Sequence, residues 1–133
     1  MKNIGGAATY RQNRVLGSNR QQLVVLLYEN LLSRLRRAAE QIRSGDIEGR
    51  VASLARASDI VAELLATLDF EAGGEIASRL AALYAYFIGE IGEVARQPEV
   101  ERLEHVTTLV ASLHESWVKA AARTGDPDEI GVL

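Results

Sequence analysis

Residues 18–43 read SNRQQLVVLLYENLLSRLRRAAEQIR, and their apolar side chains recur at alternating spacings of three and four. That period places the side chains along one face of an α-helix. The face is made of the following residues: Val24, Leu27, Leu31, Leu35, Ala38 and Ile42. A second stripe beside it consists of Val25, Tyr28, Leu32 and Ala39. A helix with so wide an apolar face either lies centrally in a bundle or keeps part of the face for a partner.

The same helical period returns three more times, between short segments that stop helices. Residues 44–46, Ser-Gly-Asp, end the first helix and cap the second, because glycine suits the left-handed C-terminal position and aspartate the N-cap. The two glycines at 73–74 interrupt the chain before a third helix. Pro98 fits the first turn of a fourth helix, which residues 125–127 close.

Four amphipathic helices joined by short turns predict an all-α fold, an antiparallel up-down-up-down four-helix bundle. The bundle is predicted to occupy residues 18–124 of the 133-residue chain, which has room for one domain. Residues 1–17 have no sustained apolar period and are predicted to form a flexible N-terminal arm. Residues 125–133 form an acidic tail that is predicted to be disordered.

Charge and composition exclude several classes of function. The net charge of −3 and the pI near 5.4 argue against nucleic acid as a partner, because phosphate binding needs a basic surface. The first helix contains four arginines that are interpreted as a solvated helix face: Arg34, Arg36, Arg37 and Arg43. The longest apolar run, residues 23–28, is much shorter than the roughly 20 residues that cross a bilayer. We therefore predict a cytoplasmic protein without membrane insertion.

The candidate catalytic and metal-binding residues do not form a known constellation. Neither His105 nor His114 has a Glu three residues before it, as a di-metal carboxylate bundle requires. His114-Glu115 begins like a zinc-protease helix, but Val118 stands where the second His is needed. Without cysteine, thiolate chemistry is excluded as well. We predict no catalytic residue, no metal and no cofactor, so the chain is not expected to be an enzyme.

Several segments, taken in order, match the pattern of a known family. They are residues 23–30 (LVVLLYEN), 45–47 (GDI), 59–64 (DIVAEL), 68–77 (LDFEAGGEIA) and 80–86 (LAALYAY), with Trp117 late in the last helix. In this order and spacing they resemble the FliS family of flagellar secretion chaperones. The resemblance covers roughly residues 10–120, which is most of the chain.

The resemblance implies a cytosolic chaperone that holds the C-terminal helical segment of flagellin. Such a chaperone prevents premature polymerisation and helps to deliver flagellin to the flagellar type III export gate. Components of that gate and a co-chaperone are further candidate partners. In the family the flagellin tail wraps around the bundle in apolar grooves, and the N-terminal arm covers part of the site when flagellin is absent. Tyr10 matches the N-terminal Tyr of the family, which makes it a candidate lid residue.

The family pattern and the width of the apolar faces together select the candidate partner-binding residues. They are Tyr10, Leu23, Leu27, Tyr28, Ile60, Leu64, Tyr84 and Phe87. Core packing is the alternative interpretation for each of them. Tyr28 and Tyr84 are favoured, because a tyrosine hydroxyl usually stays near water or a partner. The chain departs from the family after residue 86, where a basic patch common in the family is missing.

Two other classes of function stay open at this point. A dimeric structural bundle could bury the surplus apolar surface against a second copy, since exposed apolar patches usually mark interaction sites. A His phosphotransfer domain is also a four-helix bundle and needs an exposed histidine in the middle of a helix. Neither His105 nor His114 is followed by the Lys and Gly that are usual in such domains.

Overall fold

The computed structural model describes residues 19–124, and this part of the chain contains four α-helices and no β-strand. The helices are α1 (Asn19–Ser44), α2 (Ile47–Ala66), α3 (Phe70–Arg96) and α4 (Val100–Thr124). The predicted antiparallel up-down-up-down bundle is confirmed. The predicted arm, residues 1–17, and the predicted tail, residues 125–133, lie outside the described residues.

The four helices are arranged in a square. α1 packs against α2 and α4, and α3 packs against the same two helices, so that α1 and α3 lie on one diagonal. The connections between consecutive helices are only two or three residues long, which makes each helix antiparallel to the next. The contact between α3 and α4 is the least extensive of the four.

The predicted apolar stripes supply the core. Its side chains with 2% or less of their surface exposed include Val24, Leu31, Leu35, Leu54, Val61, Ile91, Val94, Leu103, Val106 and Val110. Burying a side chain of this size stabilises the fold by about 1.5–3 kcal/mol. The periodicity of the sequence therefore identified the faces that hold the bundle together.

The turn between α1 and α2 has the predicted chemistry. Gly45 adopts the left-handed conformation, with φ of 77°, and ends α1. The Oδ1 atom of Asp46 accepts a hydrogen bond of 2.9 Å from the N–H of Gly49. This N-cap satisfies one of the first backbone donors of α2, which have no partner within the helix.

The start of α3 differs from the prediction. α3 begins at Phe70, before Gly74, whereas the glycines were predicted to separate the helices. The carboxylate of Asp69 caps the helix by accepting hydrogen bonds from the N–H groups of Glu71 (3.1 Å) and Ala72 (3.0 Å). Gly74 has φ of 52° and ψ of −125°, which is not helical, so α3 is kinked there. The N-cap thus starts the first turn of α3, and the diglycine then bends this helix rather than ending it.

Candidate partner-binding surface

One end of the bundle carries four of the seven exposed large apolar side chains in residues 19–124. α1 and α3 begin at this end, and α2 and α4 finish there. The four side chains are between 40 and 59% exposed, and two half-buried leucines of α1 lie at the same end. We call the following six residues the apolar end: Leu23, Leu26, Leu27, Phe70, Ile76 and Val118.

A contact between α1 and α4 relates the positions of two of these residues. The Oε2 atom of Glu29 lies 3.3 Å from the Nε2 atom of His114. Leu26 is three residues before Glu29, and Val118 is four residues after His114, so each lies one turn nearer to the apolar end on the same face of its helix. Leu26 and Val118 are therefore expected on the two sides of the edge between α1 and α4, and both side chains are exposed.

At the end of the bundle opposite the apolar end, a salt bridge joins α3 and α4. The guanidinium of Arg102 donates two hydrogen bonds to the carboxylate of Glu90, one of 2.7 Å from Nε and one of 3.1 Å from a terminal nitrogen. These hydrogen bonds lower the pKa of the Glu90 carboxyl below its ordinary value. The two-point contact fixes which flanks of α3 and α4 face each other.

From this salt bridge the flanks can be followed in steps of seven residues, which is almost two helical turns. On α3 the steps lead from Glu90 to Leu83 and Ile76, and on α4 they lead from Arg102 to Leu109 and Ser116. Leu83 and Leu109 are half-buried, whereas Ile76 and Ser116 are exposed. We call the strip formed by Ile76, Leu83, Leu109 and Ser116 the α3/α4 groove. It runs along the least extensive contact between neighbouring helices in the bundle.

The predicted partner-binding residues lie at different depths. Five of them are buried in the core, with at most 1% of their surface exposed: Tyr28, Ile60, Leu64, Tyr84 and Phe87. Leu23 and Leu27 are half-buried and belong to the apolar end. Tyr10 lies outside the described residues. The structure thus does not bring the predicted set together on one surface.

The two favoured tyrosines contact each other. The hydroxyl oxygens of Tyr28 and Tyr84 are 2.6 Å apart and join the diagonal helices α1 and α3 at the centre of the bundle. The Trp117 ring of α4 lies beside Tyr28, with 6.4 Å between ring centroids. Burial raises the pKa of both phenols above the ordinary value. These hydroxyls were predicted to stay near water or a partner, and in the structure each is the hydrogen-bond partner of the other inside the core.

Sequence reasoning missed most of the exposed apolar end. Leu26 and Val118 belong to no predicted core stripe, and this displacement from the stripes was the signal for their exposure. Phe70 was assigned to a connection between helices, because the N-cap at Asp69 was not recognised. Ile76 is exposed on the flank of α3 that includes Leu83 and Glu90.

The structure gives little support to a metal site or to a His phosphotransfer site. Within residues 19–124, no three His, Asp or Glu side chains are grouped so that they could hold a metal ion. His114 is half-buried beside Glu29, and His105 is exposed. In the part of the chain that is described, none of the helices has the length and apolar character needed to cross a membrane.

Comparisons with known proteins agree with the fold. The profile of the family described as "Flagellar protein FliS" matches residues 2–124. A flagellar secretion chaperone FliS of Campylobacter jejuni is 35% identical over 88% of this chain and 91% of its own length. That of Salmonella typhimurium is 30% identical over 88% of this chain and 90% of its own length.

A crystal structure of a flagellar chaperone from bacteria shares the same architecture. It superposes with a TM-score of 0.75 at 18% identity, covering 90% of this chain and 98% of that one. The family profile spans nearly all of the chain, and the relatives match it along most of their own length. The four-helix chain described here therefore belongs to the FliS family of flagellar secretion chaperones.

Proposed function

We propose that this protein binds the C-terminal segment of flagellin in the cytoplasm, prevents its premature polymerisation and helps to deliver it to the flagellar type III export apparatus. Membership of a family of secretion chaperones supports the class of function. The observation that carries the proposed mode of binding is the group of exposed apolar side chains at the apolar end, of which Ile76 also belongs to the α3/α4 groove. The activity is binding alone, with no catalytic step.

The α3/α4 groove suits an amphipathic helix. A helix lying in a groove between two others uses apolar anchors spaced three, four and seven residues apart. The half-buried Leu83 and Leu109 form the floor, and the exposed Ile76 adds apolar surface where the groove opens. Covering the apolar face of the flagellin segment would keep that face from packing against another subunit.

Beyond the groove, the same segment is proposed to continue over the apolar end and to contact Leu23 and Leu27. The arm, residues 1–17 with Tyr10, is proposed to compete for this surface as a lid. The five buried residues of the predicted set are proposed to support the surface from beneath by packing. Export-gate components and a co-chaperone are further proposed partners.

Ile76→Asp is expected to weaken the binding of the flagellin C-terminal segment at least about tenfold, because a charge would be placed in an apolar contact. Ile76 is 59% exposed, so the bundle should stay folded. The measurement is calorimetric titration of the purified protein with that segment. The delay of flagellin polymerisation, followed by light scattering, should weaken in parallel.

Ile47→Asp is the matched control for this variant. Ile47 is 64% exposed and lies at the start of α2, at the opposite end of the bundle. Its affinity for the segment should stay within about twofold of the wild type. Equal losses from the two variants would place the groove elsewhere. A tight dimer in sedimentation equilibrium that Ile76→Asp dissociates would favour self-association instead.

Leu27→Ala tests the contact proposed beyond the groove. Leu27 is half-buried at the apolar end, so its truncation should weaken flagellin binding about threefold to tenfold while the protein remains folded. Leu103→Ala is the contrast, because Leu103 is fully buried and its truncation should lower the free energy of unfolding by about 2–5 kcal/mol. If both variants lose binding only in proportion to unfolding, Leu27 does not contact flagellin.

A further inference from the structure

The charge of the protein is unevenly distributed. Residues 33–44 of α1 contain four arginines and one glutamate, a net charge of +3. The whole chain has a net charge of −3, so all other residues together have a net charge of −6. This helix segment is thus positive, whereas the rest of the chain is negative in sum.

Three of these arginines are not neutralised within residues 19–124. Arg43 pairs with Glu104 of α4, but Arg34, Arg36 and Arg37 are exposed and have no carboxylate within ion-pair distance in that part of the chain. The arginines of the other helices mostly do have such a partner. The pairs are Arg56–Glu63, Arg79–Glu75, Arg96–Glu93 and Arg102–Glu90. The unpaired arginines therefore set the outer face of α1 apart.

The same face carries a shallow, open depression on the surface. It is lined by Ser33, Arg36, Arg37, Glu40, Gln41 and Ser44. Hydroxyl, amide and guanidinium donors stand close together there, with Glu40 as the one acidic group. An arginine fork donates two parallel hydrogen bonds to a carboxylate, a geometry that lysine does not offer.

We propose that the outer face of α1 around Arg36 and Arg37, called the arginine face, is a docking surface for an acidic segment of a partner protein. Charge complementarity identifies the occupant. A lipid surface or a nucleic acid presents many phosphates and needs a broad basic surface. Here the positive face is one helix wide, and Glu29, Glu40 and Glu104 stand on or beside it.

The position of this face allows two partners at once. α1 and α3 lie on a diagonal, so the outer face of α1 points away from α3 and from the α3/α4 groove. A protein on the arginine face would leave the groove free. The proposal for the arginine face rests on charge and position alone, so it does not depend on whether the groove binds flagellin.

The test uses the full chain and a fluorescein-labelled helical peptide with glutamates spaced three and four residues apart, measured by fluorescence anisotropy. The double variant Arg36→Glu, Arg37→Glu is expected to lose at least about tenfold in affinity, since it removes two charge pairs and adds repulsion. Binding by the wild type should weaken as the salt concentration rises. Binding of the flagellin segment should not change.

The matched control is Arg79→Glu, Arg96→Glu, which makes the same change in net charge at two exposed positions of α3. Its affinity for the peptide should stay within about twofold of the wild type. Failure of the wild type to bind the peptide, or equal losses from both double variants, would overturn the proposal. It would also be overturned if vesicles of phosphatidylserine and phosphatidylcholine bound the arginine face more tightly than the peptide does.

Discussion

Phe87→Ala is expected to lower the free energy of unfolding by about 3–5 kcal/mol, because it removes an aromatic ring from a site that is only 1% exposed. The measurement is urea denaturation followed by circular dichroism. Phe87 was selected from the sequence as a partner contact, and the structure assigns it to the core. Flagellin binding should therefore fall only as far as the folded fraction of the variant falls.

The neighbouring Tyr86 provides the control. Its side chain is 42% exposed, and Tyr86→Ala should change the free energy of unfolding by less than about 1 kcal/mol. Similar destabilisation by the two variants would contradict the burial of Phe87. A loss of flagellin affinity in a fully folded Phe87→Ala sample would mean that Phe87 contributes to binding, by direct contact or by supporting the surface above it.

Tyr28→Phe is expected to lower the free energy of unfolding by about 1–3 kcal/mol, although it removes a single oxygen atom. The variant leaves the Tyr84 hydroxyl buried without its partner at 2.6 Å. Tyr84→Phe should lower the free energy of unfolding by a similar amount, because it leaves the Tyr28 hydroxyl without the same partner. Thermal and urea denaturation of both single variants and the double variant would form a double-mutant cycle.

The double variant should be less destabilised than the sum of the single variants, since both ends of the hydroxyl pair are then removed. Additive costs would mean that the two hydroxyls are not coupled. Alkaline pH gives a second readout. Above about pH 10 the unfolded chain loses phenol protons that the buried pair retains, so stability should fall as pH rises. That fall should be smaller in the double variant.

The bundle was predictable from sequence because local signals agree with the packing. The stripe of α1 repeats at helical spacing, and its members Leu31 and Leu35 are fully buried. Gly45 and Asp46 stop one helix and cap the next as their chemistry requires. These signals depend only on neighbours in the chain, and short connections left the antiparallel arrangement as the simple outcome.

The binding surface was less predictable, because it depends on contacts between distant residues. Tyr28 and Tyr84 are 56 positions apart, and nothing local indicates that their hydroxyls meet. The salt bridge between Glu90 and Arg102 identifies the flank of α3 on which Ile76 lies. This contact, too, exists only once α3 and α4 have packed together. Periodicity identifies an apolar face, but it does not distinguish the covered part of that face from the part left open.

The kink at Gly74 determines whether the Phe70 ring is buried or exposed. Phe70 stands seven residues before Ala77 and fourteen before Tyr84, both of which are buried, so a straight helix would aim Phe70 inwards. The backbone angles at Gly74 are accessible almost only to glycine, and with them the ring is 53% exposed. Full burial of such a ring would add up to about 1.5–3 kcal/mol to stability. One glycine thus leaves this ring outside the core, on the surface that is proposed to bind flagellin.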